Sequence, residues 1–249
     1  MRTILFALAT FFLMAPTASF AQSAHADLRY ASTESSPGGG DFDASSLSGQ
    51  VVLGEHFQLD ASYTQADIAN GIDTFGVGAH VFQRNDDWLF GAYAGFNALR
   101  DNADTDDWVV AGEVQFYAPR ATISGVLSYG ETSDLDFQVW ALDGEYKHFI
   151  TDNWSLSGGL SVGGAESFGD SFDAWGASVG SEYQFSSHPV SVFASYRLSS
   201  YEGAADQDND TFTLGVRYNW GGETLRERSQ SGAGLERVPG PYERVFGGY

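Results

Sequence analysis

From Asp27 to Trp220, apolar and polar residues alternate with a period of two, the mark of strands whose two faces meet different surroundings. In segment 88–97, Trp88, Phe90, Ala92, Ala94 and Phe96 share one face, and Leu89, Gly91, Tyr93, Gly95 and Asn97 share the other. In 107–117, Trp108, Val110, Gly112, Val114 and Phe116 oppose Val109, Ala111, Glu113, Gln115 and Tyr117. In the last such segment, Phe212, Leu214, Val216, Tyr218 and Trp220 oppose Thr211, Thr213, Gly215, Arg217 and Asn219. The pattern predicts an all-β fold, an antiparallel β-barrel of about twelve strands. The strands fall at 27–34, 44–53, 56–65, 72–83, 87–98, 107–117, 121–130, 136–149, 153–164, 172–185, 189–200 and 209–220. The first is the least regular. Connections at Gly54-Glu55, 84–86, 118–120, 150–152 and 186–188 are short, and those at 35–43, 66–71, 99–106, 131–135, 165–171 and 201–208 are longer.

The placement of the aromatics decides which environment the apolar face meets. All six tryptophans fall on apolar faces. Trp88, Trp154 and Trp220 lie toward one end of the expected barrel, and Trp108, Trp140 and Trp175 toward the other. Two girdles of amphipathic rings suit two lipid–water boundaries, whereas a soluble barrel buries its apolar face inward without such sorting. The expectation is therefore a transmembrane barrel, with outer-membrane lipid as its surroundings. Tight turns then face the periplasm and longer loops face outward, and an even strand number leaves both barrel ends in the periplasm.

The ends of the chain read differently. Arg2, the apolar run from Ile4 to Met14 and the small residues after it form a secretory signal over 1–26, with cleavage sites after Ala21 or Ala26. Residues 221–249 carry four arginines, four glutamates, Pro239, Pro241 and several glycines, with no alternation. They read as a flexible periplasmic tail, with docking into the barrel mouth as the alternative.

Thr213, Gly215, Tyr218 and Trp220, in the run Thr213-Leu214-Gly215-Val216-Arg217-Tyr218-Asn219-Trp220, resemble the terminal-strand signal of bacterial outer-membrane β-barrel proteins. The resemblance is to a small porin-like class. It implies recognition by the barrel-assembly machinery and an outer-membrane location. In that class the chain usually ends at this strand; here residues 221–249 follow it.

Charge narrows the function further. With 12 Lys+Arg against 33 Asp+Glu, a formal net charge of −21, the chain is a poor partner for nucleic acid. It has no cysteine, hence no thiolate metal site or disulfide. The acidic groups Asp101, Asp104, Asp106, Asp107 and Asp206, Asp208, Asp210 hint at calcium but lack the EF-hand glycine and glutamate, and read instead as solvated loops. No metal or cofactor is expected. The histidines show no catalytic spacing, so no enzyme is expected; His80, on the polar face near mid-strand, reads as solvated.

A barrel of this size lies between the side-chain-filled and the water-filled limits. Its inward set holds many serines and glycines, which favours a narrow wet lumen. Arg29, Arg197 and Arg217 fall on neighbouring strands, opposite Asp60, Glu113, Asp143, Glu145 and Glu182, with Lys147 a base among the acids. An arginine wall facing carboxylates resembles the constriction of general porins. The alternative is a sealing network, in which Glu182 and Arg197 pair across adjacent strands. The expected function is a porin-like channel for passive diffusion of small hydrophilic solutes; the alternative is a closed structural or adhesive barrel. The sequence names neither the solute nor the oligomeric state.

Overall fold

The computed structural model describes residues 21–37, 40–67, 71–101, 104–133, 137–167, 170–203, 206–221 and 224–246. The apolar run of the signal segment lies outside them. Twelve strands follow in order: β1 (Ala21–Ser36), β2 (Phe42–Leu53), β3 (Phe57–Ala66), β4 (Ile72–Arg84), β5 (Trp88–Asp101), β6 (Thr105–Ala118), β7 (Ala121–Thr132), β8 (Phe137–Thr151), β9 (Trp154–Ser167), β10 (Asp170–Gln184), β11 (Val190–Glu202) and β12 (Gln207–Trp220). Each pairs antiparallel with its chain neighbours, and β1 pairs with both β2 and β12, so the sheet is a closed barrel. Closure leaves no strand edge, and ladders between all neighbouring strands pair the backbone around the wall, as a lipid environment requires.

Two boundaries differ from expectation. The barrel begins at Ala21, not Asp27: Ala24, His25 and Ala26 pair with Trp220, Asn219 and Tyr218 on one side and with Val51, Gln50 and Gly49 on the other. The strands also run on into the segments expected as longer loops, so Ser36 pairs with Asp208. There both faces meet water and alternation fades, although the ladder continues.

The apolar faces point outward. Phe90, Leu160 and Val179 are 59%, 71% and 62% exposed on the outer wall, and Trp88, Trp108, Trp140, Trp154 and Trp175 are exposed beside them. Trp88 and Trp154 begin their strands and Trp220 ends its own, which places these three at the turn end of the barrel, and the other three lie toward the opposite end. The two girdles and the greasy belt between them seat the barrel in the outer membrane.

The tail does not hang free. Helix α1 (Leu225–Ser231) sits at the barrel mouth, and the extended stretch after it leads inside the barrel to helix α2 (Pro241–Phe246). Thr224 starts α1 with a capping box, its hydroxyl accepting from the Glu227 N–H while the Glu227 carboxylate accepts from the Thr224 N–H. Pro241 opens α2, where its missing N–H costs nothing. Neither helix is long enough to stand alone; both depend on the wall around them.

Candidate functional site in the barrel lumen

The tail enters at the mouth that carries the short turns. Arg226 donates to the carbonyl of Pro119 at 2.9 Å and pairs with Asp152 at 3.3 Å, both in turns. Gln230 donates to the carbonyls of Ala118 and Ala121 at 2.9 and 3.1 Å. Ala233 and Leu235 then close an apolar cluster with Val52, Phe82, Leu89 and Tyr117. Val238 packs on Tyr93, Val109 and Ala111. Gly240 passes so close to Asn97 and Asp107 that a side chain at that position would collide with both. Farther along, Arg244 of α2 grips Asp143 at 2.7 Å, and its carbonyl accepts from the Tyr201 hydroxyl. The segment thus runs along the β3–β7 wall through most of the lumen.

This path rearranges the charges expected of the lumen. Glu182 pairs with Arg217 at 3.3 Å and with Arg228 of α1 at 2.7 Å, not with Arg197. Arg217 and Arg29 share Asp27, Arg29 at 2.7 Å. Glu236 of the tail lies 3.7 Å from each of these arginines. Arg29 and Arg217 therefore form one cluster around Asp27 and Glu236, and their guanidinium carbons sit 5.5 and 5.2 Å from the Phe193 ring centre. Lys147 pairs with Glu145 at 3.2 Å on its own strand. Arg197 stands apart and, among the described residues, its side chain donates only to the Ser161 hydroxyl, at 3.2 Å.

Asp60 and Glu113 are joined by His80. Its Nε2 lies 2.7 Å from Asp60 and its Nδ1 2.8 Å from Glu113, and the ring is tilted over Tyr93 at 4.6 Å. His80 is 1% exposed, so the expectation of a solvated histidine is corrected. The tail reaches this group through Gln58, which donates to Asp60 at 3.1 Å and to the Leu235 carbonyl at 2.6 Å. The acidic loop group is also divided. Asp107 is fully buried and accepts from Asn97 at 2.6 Å, while Asp104 and Asp106 pair with Arg100 at 3.4 and 3.0 Å.

The tail supplies what reading strands alone misses: Arg228, Glu236, Arg237, Glu243 and Arg244. Arg237 holds Glu243 through both carboxylate oxygens, at 2.6 and 2.7 Å. Glu236 is half open to the lumen, yet enclosed by the barrel. Burial works against its charge, but Arg217, Arg29 and Lys147 overcome that and hold its carboxyl down to about 2. The one signal for docking was compositional: a tail with four arginines in an otherwise acidic chain matches an acid-lined lumen.

Of the expected assembly-signal residues, Thr213 faces the lumen and Gly215 lies under the Phe193 ring, which leaves no room for a side chain there. Tyr218 and Trp220 pack ring to ring, with centroids 4.5 Å apart, at the turn end of the barrel.

The wall opposite the tail stays open. A cavity of 360 Å³ runs along it, lined by hydroxyls of Ser46, Ser157, Ser178, Ser195 and Thr213 and by Arg29, Lys147 and Arg197. A second cavity, of 250 Å³, lies beside α2 and Asp143. Glu145, Ser178, Arg197, Glu236, Arg237 and Pro239 line both, forming a waist where the two meet.

No family model and no curated protein matches the chain. Solved structures do match in fold. The KdgM porin, in complex with disordered oligogalacturonate, aligns with a TM-score of 0.59 at 8% identity, over 77% of this chain and 98% of that one. An outer-membrane channel from Pseudomonas putida F1 aligns at 0.56 and 13% identity, over 82% and 96%. The β domain of the Bordetella autotransporter BrkA aligns at 0.52 and 11% identity, over 81% and 100%. The chain is a closed twelve-stranded antiparallel barrel with the fold of outer-membrane porin-like proteins.

Proposed function

We propose that this barrel is an outer-membrane channel for the passive diffusion of small hydrophilic solutes, narrowed by its own C-terminal segment. The observation that carries this is the two-sided lumen. The tail covers the β3–β7 wall, while two adjoining cavities stay open beside it, one of 360 Å³ along the hydroxyl-rich wall opposite and one of 250 Å³ beside α2. Such a passage suits solutes that replace water hydrogen bonds with those of serine and threonine, and excludes bulky ones. Catalysis is no part of this reading: His80 spends both ring nitrogens on carboxylates. Barrel-assembly machinery acting on the β12 motif also belongs to it, on the strength of the resemblance alone.

A closed structural or adhesive barrel is the second reading, favoured by the density of tail-to-wall ion pairs. Single-channel recording in planar bilayers separates the two. The channel reading expects small, steady conductance steps from the whole protein, and larger ones when Arg228→Gln and Arg237→Gln loosen the tail. Silence from both proteins would overturn it.

A further inference from the structure

The waist between the cavities holds an unspent cation. The other charged side chains lining either cavity each belong to an ion pair of 4.0 Å or less: Arg29, Asp60, Asp143, Glu145, Lys147, Glu182, Arg217, Glu236, Arg237 and Arg244 all have an opposite charge in reach. Arg197 has none among the described residues, and its single side-chain hydrogen bond is to a neutral hydroxyl. It is half-buried, and it lines both cavities. Gly176, on the neighbouring strand, keeps this space clear: a side chain there would start 3.4 Å from the Arg197 guanidinium and 2.6 Å from the Ser161 hydroxyl. A guanidinium offers five donors in a planar fork that fits a carboxylate through both oxygens, and one left unpaired in a narrow lumen attracts such a partner.

The surroundings restrict what that partner is. Beside Arg197 stand Ser178, its register partner, and the hydroxyls of Ser157 and Ser195, which suit a polyhydroxylated body. The waist also carries Glu145 and Glu236, which are 41% and 52% exposed to the cavity. They accept from ligand hydroxyls and repel a second negative charge. The 360 Å³ cavity falls within the range of small-ligand pockets, about 300–1,000 Å³. We propose that Arg197 and the serines around it form a binding site for a small polyhydroxylated monocarboxylate, a sugar acid with one charge, and disfavour neutral sugars and dicarboxylates of the same size.

The site rests on the channel reading for its biological use, but binding is measurable without conductance. Titration calorimetry on the whole purified barrel in detergent, at low ionic strength, would use gluconate, glucose and glucarate as probes. The wild type is expected to bind gluconate at least tenfold more tightly than either of the others. Arg197→Gln is expected to abolish the preference and Arg197→Lys to keep part of it. Both variants break only a neutral hydrogen bond, and their folding is checked by faster gel migration before heating. Equal binding of the three probes by the wild type, or an unchanged preference in Arg197→Gln, would overturn the proposal. Selective binding by a barrel that never conducts would instead remove the channel reading and leave the site standing.

Discussion

At the scale of residues, the lumen is organised by a few carboxylates that each answer more than one base. Glu182 is the clearest: it is 9% exposed and shared between Arg217 of the wall and Arg228 of the tail. Glu182→Ala would leave two buried guanidinium groups short of a partner. A loss of roughly 3–5 kcal/mol is expected, read as a lower urea midpoint for unfolding in detergent. Glu236 gives the tail a pH dependence. Undocked, its carboxyl would titrate at the ordinary value of 4.5; docked, it is held at about 2. The docked state is therefore favoured where the group is charged, above the ordinary value, and that contribution disappears as pH falls from about 4.5 to about 2. Protease access to the tail is expected to rise across this interval in the wild type, and Glu236→Gln should flatten the rise. The effect is modest, because the side chain is half open to water. The sequence pattern showed which of these charges face inward, since alternation fixes the face. It did not show their partners. Glu182 and Arg197 lie on adjacent strands, yet Arg197 reaches Ser161 while Glu182 turns to the α1 arginine.

At the scale of elements, the strands were legible and the tail was not. A strand between lipid and lumen must alternate, so its signal survives in one sequence. A segment packed inside a barrel meets irregular neighbours on every side and needs no period. Gly234 and Gly240 with Pro239 and Pro241 look like a linker, yet Gly240 is the residue that fits beneath Asn97 and Asp107. The strand ends were misplaced for a related reason: beyond the lipid both faces are polar, and alternation stops before pairing does. The tail's hold is divided between a capped helix at the mouth and a salt-bridged one deeper in. Thr224→Ala removes the capping acceptor of α1 and should cost about 1 kcal/mol of helix stability. Faster proteolysis near Arg226, with the barrel core still resistant, would show it; equal resistance would mean that Arg226 and Gln230 alone anchor the mouth.

At the scale of the whole molecule, the protein turns the usual arrangement inside out, with apolar side chains facing lipid and polar ones inside. It should therefore fractionate with outer membranes and migrate faster on gels before heating than after. Recovery from the soluble periplasm without detergent would contradict the exterior described above. Replacing both Tyr218 and Trp220 with alanine removes a packed ring pair from the last strand at the membrane boundary. Reduced insertion, with protease-sensitive material left in the periplasm, is the expected result. The apolar stripe beneath the tail carries a further consequence. Leu89, Tyr93, Val109 and Ala111 lie on the inner wall and are kept dry by Leu235 and Val238. Without that cover, one side of the bore would wet poorly while the serine side stayed hydrated. A tail-less barrel would thus be a different filter and not only a wider one. Amphiphiles such as bile salts or cationic dyes would adsorb along the bare stripe and block current in bursts, where the intact protein offers them no foothold.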